Sequence, residues 1–546
     1  MKSRAISIIK GTRPGSIDWR LLLFLLVFLD VKLVIKIAAV VLIYIVRPNF
    51  KFGFSLKSSR LPLFYVLAPG IAVLNWIIIG KWANFNYGLV LLTGILFWVL
   101  CILAIHQVKL SVEKYDPEII HRTILVFFIL NALVSLVTFA GIILETGSIN
   151  PYRYQGNFQK YFIGTGDYIK GLTFDTSTTN AVINAFGVIY FLMRGRYIFM
   201  LLCMMTLLLT GSNITNFILC FTLLPVFFYR SSRDQKTMIV ICLVMLLIFL
   251  VKVSPQNNSY VVTAYQKIFN RHTASRQILT AEIPVTQKPD SILTFEERRK
   301  KIAQLYMDSV NIALYNKNLH KIVADVRSQP VIALNEKPVI PADSIHTPSF
   351  QHRDDTSLVE KKLLQFVVQI DKEEFSTTKK RERPKLPGKL IAARQTLRYF
   401  RQYPLRSISG TGIGNFSSKL AFRSTAMKIS GNYPAKYAYI NPAFEFNHLD
   451  LYLLYFTGKE EMHSMANSPN NTYDQLLGEY GLAGLSAFLF FYLLFFAKQL
   501  KKYAYGIPLL LFMATMFFAD YWFEQLSVVV FFELLLLLNI KELKTD

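Results

Sequence analysis

Residues 20–46 read RLLLFLLVFLDVKLVIKIAAVVLIYIV, and how this stretch crosses a bilayer decides the topology of everything after it. Read as one helix, it has basic residues at both ends, against the rule that Lys and Arg mark the cytoplasmic side. Read as a hairpin turning at Asp30-Val31-Lys32, it puts both basic clusters on one side. The hairpin reading is adopted here, with a re-entrant pair as its variant.

From there the pattern runs outward. The chain has 546 residues, is 53% hydrophobic and 14% aromatic, and breaks into apolar runs bounded by Lys or Arg. Runs of this kind suit a hydrocarbon layer that takes about 20 residues to cross. The expected spans lie near 20–30, 33–46, 61–80, 87–107, 124–145, 177–193, 197–211, 214–229, 237–253, 475–497, 505–519 and 525–540. The connections between them carry Arg47, Lys51, Lys57 and Arg60, then Arg194 and Arg196, then Arg230, Arg233 and Lys236, then Lys498, Lys501 and Lys502. Placing all of these inside gives twelve crossings with both termini cytoplasmic. The expected fold class is an all-α integral membrane protein with one large, mainly helical outer loop. Its parts are an N-terminal bundle over 1–253, the loop over 254–472, and C-terminal helices over 473–546.

No cleavable leader is read at the N-terminus, whose basic start runs on into membrane segments. Cys101, Cys203, Cys220 and Cys242 all lie in apolar runs and read as small apolar fillers. Much of the excess behind the net charge of +25 sits in short connections between apolar runs, where Lys and Arg hold loops in the cytoplasm, so nucleic acid is not the expected partner. The outer region is different: residues 254–472 hold 31 Lys and Arg against 19 Asp and Glu. Cytoplasmic retention cannot explain charge on the outer side, which points to an anionic partner.

Within that region, Thr294 and Glu297 make a capping-box pattern that opens a helix over 294–325. Residues 327–356, with four prolines, read as linker, 357–376 as another helix, and KKRERPK at 379–385 as a solvated charge run. LIAARQTLRYFRQYPLR at 390–406 reads as an amphipathic helix with Arg394, Arg398 and Arg401 on one face, followed by Arg406. The glycine run Gly410-Thr-Gly-Ile-Gly-Asn-Phe416 follows a helix rather than a strand, which excludes dinucleotide binding. Two readings stay open for it: backbone N–H groups of Gly412, Gly414 and Asn415 offered to an anion, or a tight turn. Six histidines lie outside (His272, His320, His346, His352, His448 and His463), none at metal-ligand spacing. Neither a nucleophile elbow nor a P-loop is present, and no metal or cofactor is expected.

The loop ends in HSMANSPNNTYDQLLGEYGLAGL at 463–485, a polar cluster at the mouth of a membrane helix. One of Asn467, Asn470 and Asn471 is expected to cap that helix. Asn470 to Gly484 resembles the signature of the O-antigen ligase and polymerase family, in which His-Asn-x-Tyr/Phe-Leu-x-x-Leu-x-Glu-x-Gly-x-x-Gly opens a membrane helix. Pro404 with Gly410 to Phe416 is similar to a second family feature, and residues 153–181, starting at Arg153, to a third. Two departures stand out. Asn470 occupies the place of the family's histidine, with His463 seven residues earlier, and Ser212-Asn213 stands where the family has Ser-Arg.

The resemblance implies a multi-pass glycosyltransferase of GT-C-like architecture. It would move a polyprenyl diphosphate-linked glycan to an acceptor, lipid A core or another glycan, at the periplasmic face of the bacterial inner membrane. His463 and Glu479 are then rival general bases and Arg401 a charge stabiliser. Arg153, Arg398, Arg406, Gly412, Gly414, Asn415, Asn467, Asn470, Asn471 and Tyr473 are the expected substrate contacts. The chemistry agrees: an Arg fork suits a diphosphate, and a leaving diphosphate needs fixed donors in a partly dry site. A transporter or flippase for the same lipid-linked glycan is the alternative. It would place paired ionisable groups mid-membrane, where only Asp30, Lys36 and Glu533 are visible. A surface-polymer sensor is a third reading, and it has no use for the polar-to-apolar junction.

Overall fold

The computed structural model describes residues 17–30, 32–54, 61–80, 84–153, 168–229, 231–254, 387–427, 433–455, 465, 468–500 and 504–545. The expected helices over 294–325 and 357–376 and the linker between them lie outside these residues, as do His463 and Asn467. Among the described residues there are helices and no strands.

The stretch 20–46 is a hairpin. Helix α1 (Trp19–Phe28) is capped by Asp18, whose Oδ1 accepts from the N–H groups of Arg20 and Leu21. Asp30 Oδ1 accepts from Lys32 N at 2.8 Å across the turn, and α2 (Leu33–Val46) returns against α1. Then come α3 (Phe64–Ile79), α4 (Phe85–Lys114) and α5 (Pro117–Thr146). At 30 residues each, α4 and α5 are longer than their apolar runs. Their polar ends, such as HQVKLSVEK, extend beyond the apolar stretch that made them legible. Next are α6 (Ser177–Met193), α7 (Tyr197–Leu209), α8 (Asn213–Phe228) and α9 (Arg233–Ile248), the last continued by a π turn at Phe249–Val253. The loop region contributes α10 (Gly388–Gln402), α11 (Pro404–Ser409), α12 (Lys419–Arg423), α13 (Pro442–Asn447) and α14 (Leu449–Tyr455). The chain closes with α15 (Thr472–Phe488) and, after a π turn, α16 (Leu494–Gln499), then α17 (Gly506–Met516) and α18 (Leu526–Thr545).

Among the described residues, four helical stretches are long and apolar enough to cross a membrane: Phe85–Lys114, Pro117–Thr146, Arg233–Val253 and Thr472–Gln499. Seven further apolar helices among these residues run 10–17 residues. The C-terminal helices are not a separate unit. Helix α18 packs along α4 and α15 along α3, so both membrane parts share one core.

Side-chain bonds sort the helix ends into two groups. At one end, Glu542 of α18 accepts from Arg194 Nη1 at 2.6 Å and Tyr505 Oη at 2.6 Å, and pairs with His121 Nε2 at 2.5 Å. Lys541 donates to the carbonyls of Val112 and Tyr115, and Arg47 Nη2 to Leu110 O at 3.0 Å. At the other end, Tyr152 donates to Leu209 O at 2.6 Å and Asn150 to Val253 O at 2.9 Å. Thr472 N there donates to Phe517 O at 2.9 Å.

Candidate functional site

The helix that carries the 463–485 cluster is broken. Gly481, inside α15, has φ 69 and ψ −168, a conformation open essentially to glycine alone. The break leaves the carbonyls of Gly478 and Glu479 without their usual partners three and four residues on. In a membrane such carbonyls must be satisfied inside the protein.

The glycine run does this. Thr411 N donates to Gly478 O at 3.0 Å and Gly412 N to Glu479 O at 2.9 Å. Asn75 of α3 adds a bond from its amide to Glu479 O at 3.3 Å. Gly410 (φ 80) lies so close that a Cβ there would sit 2.3 Å from Glu479 O; one on Gly481 would sit 2.3 Å from Ile408 O. Of the two readings left open for this stretch, this is the turn. Thr411 and Gly412 give their N–H groups to carbonyls of α15, while the end of the run, at Gly414 and Phe416, turns its N–H groups to the Glu479 carboxyl. Asn415 is fully buried and donates to Thr411 O at 2.8 Å, and Gly414 packs against Val90.

Glu479 is the centre of the arrangement. It is fully buried, and its Oε1 accepts from Ser418 Oγ at 2.6 Å and from Phe416 N at 3.4 Å. Its Oε2 has no hydrogen-bond partner among the described residues. The side chain lines a narrow crevice together with the apolar Trp98, Ile413 and Phe523 and the polar Gln475 and Glu524. Gln475 donates to Glu524 Oε1 at 2.7 Å, leaving Glu524 Oε2 also unpartnered. Two carboxyls thus share one apolar-walled slot. Trp98 Nε1 donates to Tyr480 Oη at 2.8 Å and fixes one wall.

The mouth of α15 is held by cations. Lys389 of α10 is buried and donates to Ala519 O at 2.7 Å and to the carbonyl of Asn470. Burial pushes its ammonium down to about 7, against the pull of Asp520. Asp520 is buried too, which alone would raise it, but Lys419 at 3.1 Å holds it below the ordinary carboxylate range. His448 is buried beside Phe416, and desolvation takes it down to about 3, so it is a neutral packing group.

The other expected site residues divide. Asn471 is the N-cap of α15, its Oδ1 accepting from Tyr473 N at 3.0 Å, as expected of one of the three asparagines. Tyr473 donates to Ala514 O at 2.7 Å and packs on Phe488, a structural role. Asn470 is half-buried and tied to Ser468. Arg398 and Arg401 are exposed on α10, and Arg406, half-buried, lies in the field of Tyr87 and Tyr399. Arg153 is bonded to Lys252 O at 2.6 Å, on the π turn after α9. The structure therefore joins Glu479 to the glycine run.

Ser418, Gln475, Glu524 and Lys389 were not singled out from sequence. Gln475 had a signal, since it sits four residues before Glu479 and shares its helix face. The other three come from distant parts of the chain and carry none. No family model, curated protein or solved structure matches this chain.

Proposed function

We propose that the chain is a membrane glycosyltransferase of the O-antigen ligase or polymerase type, crossing the bacterial inner membrane twelve times with residues 254–472 outside. The observation that supports it most is the slot at Glu479. A buried carboxyl with one unpartnered oxygen faces an apolar-walled crevice, on an apolar helix broken at that level. A lipid-linked donor needs that combination, because its tail confines the scissile bond near the membrane surface.

In the proposed reaction an acceptor hydroxyl oxygen attacks the anomeric carbon of the donor sugar. The bond from that carbon to the diphosphate oxygen breaks, and the electron pair leaves with the lipid diphosphate. The hydroxyl proton goes to a base, for which Glu479 Oε2 is the group in place. Ser418 and Phe416 N fix the other oxygen, so the free one is held in orientation. Outer-side arginines would neutralise the leaving group. The transporter alternative draws less support. Lys36 is locked to Phe28 O at 2.8 Å and Ser527 Oγ at 2.7 Å, and Glu533 to Tyr65, each within the helix packing.

The test is the surface glycan of a deletion strain. Loss of long chains from the lipid A core with lipid-linked glycan accumulating marks a ligase, and single repeats on the core mark a polymerase. A glycan profile unchanged by the deletion would sink the reading.

A further inference from the structure

Helices α10 and α11 form an elbow that the bundle does not cover. The inner side of α10 is buried through Lys389, Ala392, Thr396 and Phe400. Its outer side carries Leu390 and Leu397 interleaved with Arg394, Arg398 and Arg401, all exposed. On α11, Leu405 is 85% exposed and Ile408 61% exposed, an arrangement costly to leave in water. Yet α11 is firmly placed. It packs on α15 beside the break, where the backbones of Ile408 and Gly481 are in contact. Gly481 lies nine residues into a membrane-crossing helix, about 14 Å below its start. At that level α15 itself exposes Leu482 and, further on, Phe490. Leu405 and Ile408 are thus held at a level where the neighbouring helix surface is apolar, while α10 starts at the helix mouth, where Lys389 bonds the Asn470 carbonyl, and carries its arginines between the mouth and the elbow.

We infer that the α10–α11 elbow is inserted into the outer leaflet, with Leu405 and Ile408 among acyl chains and Arg394, Arg398 and Arg401 on anionic lipid headgroups. The apolar residues continue a lipid-facing surface, and three guanidiniums with leucines between them match phosphates above hydrocarbon. The surface is a property of the fold and holds whether or not the chain transfers glycans.

The test uses the full chain in lipid nanodiscs. An environment-sensitive maleimide probe is placed at Leu405→Cys, with unsubstituted protein as the blank for its own cysteines and Lys436→Cys as an exposed reference site. The expected result is blue-shifted emission at position 405 and quenching by lipids spin-labelled near the headgroup, with neither at position 436. Quenching by spin-labelled phosphatidylglycerol should exceed that by phosphatidylcholine, and the preference should fall about fivefold for each of Arg394→Ser, Arg398→Ser and Arg401→Ser. Water-like emission at position 405 overturns insertion. Equal quenching by the two lipids overturns headgroup recognition. A response to inorganic pyrophosphate in detergent, with none to lipid, would make the elbow a soluble-anion site instead. If Leu405→Cys does not fold, Ile408→Cys reports the same position.

Discussion

Replacing Gly481 with alanine should unlock the broken helix. The new methyl group would lie 2.3 Å from Ile408 O and 2.6 Å from Gly410 N, both backbone atoms that no rotamer change can move. The φ of 69 with ψ of −168 adds about 1–3 kcal/mol of strain for any side chain. Relief requires the glycine run to lift, which breaks Thr411 N to Gly478 O and Gly412 N to Glu479 O, each contributing about 0.5–1.5 kcal/mol. Together these come to about 2–6 kcal/mol. Unfolding by sodium dodecyl sulfate in mixed micelles, read by tryptophan emission, should therefore shift to lower denaturant. Trp98 and Trp522 are both buried in the packing around α15 and report on it. Gly88→Ala is the control, because no atom lies within 4 Å of its added methyl and the site is helical, so it should be neutral or stabilising by up to about 1 kcal/mol. If Gly481→Ala unfolds within about 0.5 kcal/mol of the unsubstituted protein, the backbone docking does not hold the break together and the reasoning fails.

Glu479→Gln, matched for protein level, should lower glycan transfer about 10²- to 10⁴-fold while the protein stays folded. Full transfer by Glu479→Gln together with loss in His463→Ala would hand the base to the histidine. A cysteine introduced near Lys337 should be labelled from the periplasm in permeabilised cells, and protection there would remove the topology and the mechanism with it. Lys389 binds its proton less tightly in the folded chain than in the unfolded one, so between about pH 7 and the ordinary lysine range the unfolded chain holds more protons and stability rises with pH. Unfolding followed across that window should show the rise, and Lys389→Met should flatten it; an unchanged slope in the variant would place the titration elsewhere.

The apolar helices were legible because long apolar runs bounded by basic connections mark them out. The hairpin over 20–46 follows from charge alone, and the structure turns at the residues the charges select. What could not be read was the level at which α15 breaks. Gly481 is one of 26 glycines, and nothing local separates a glycine that ends a helix from one that interrupts it. The same limit hid Glu524 and Lys389, whose partners lie 49 and 81 residues away. The glycine run was visible as a special backbone, but its two readings differ only in what receives the N–H groups, and that is a tertiary fact.

The shortness of the apolar helices carries a mechanical consequence. Helix α1 has 10 residues and α2 has 14, so they reach about 15 and 21 Å against a hydrocarbon layer of about 30 Å. With α7 at 13 residues and Ile198 and Met205 exposed on it, a third outward-facing helix is undersized. Lipids beside such walls compress to match them, and the strain favours thin bilayers over thick ones. A dimple of this kind lowers the leaflet surface toward the level of Glu479.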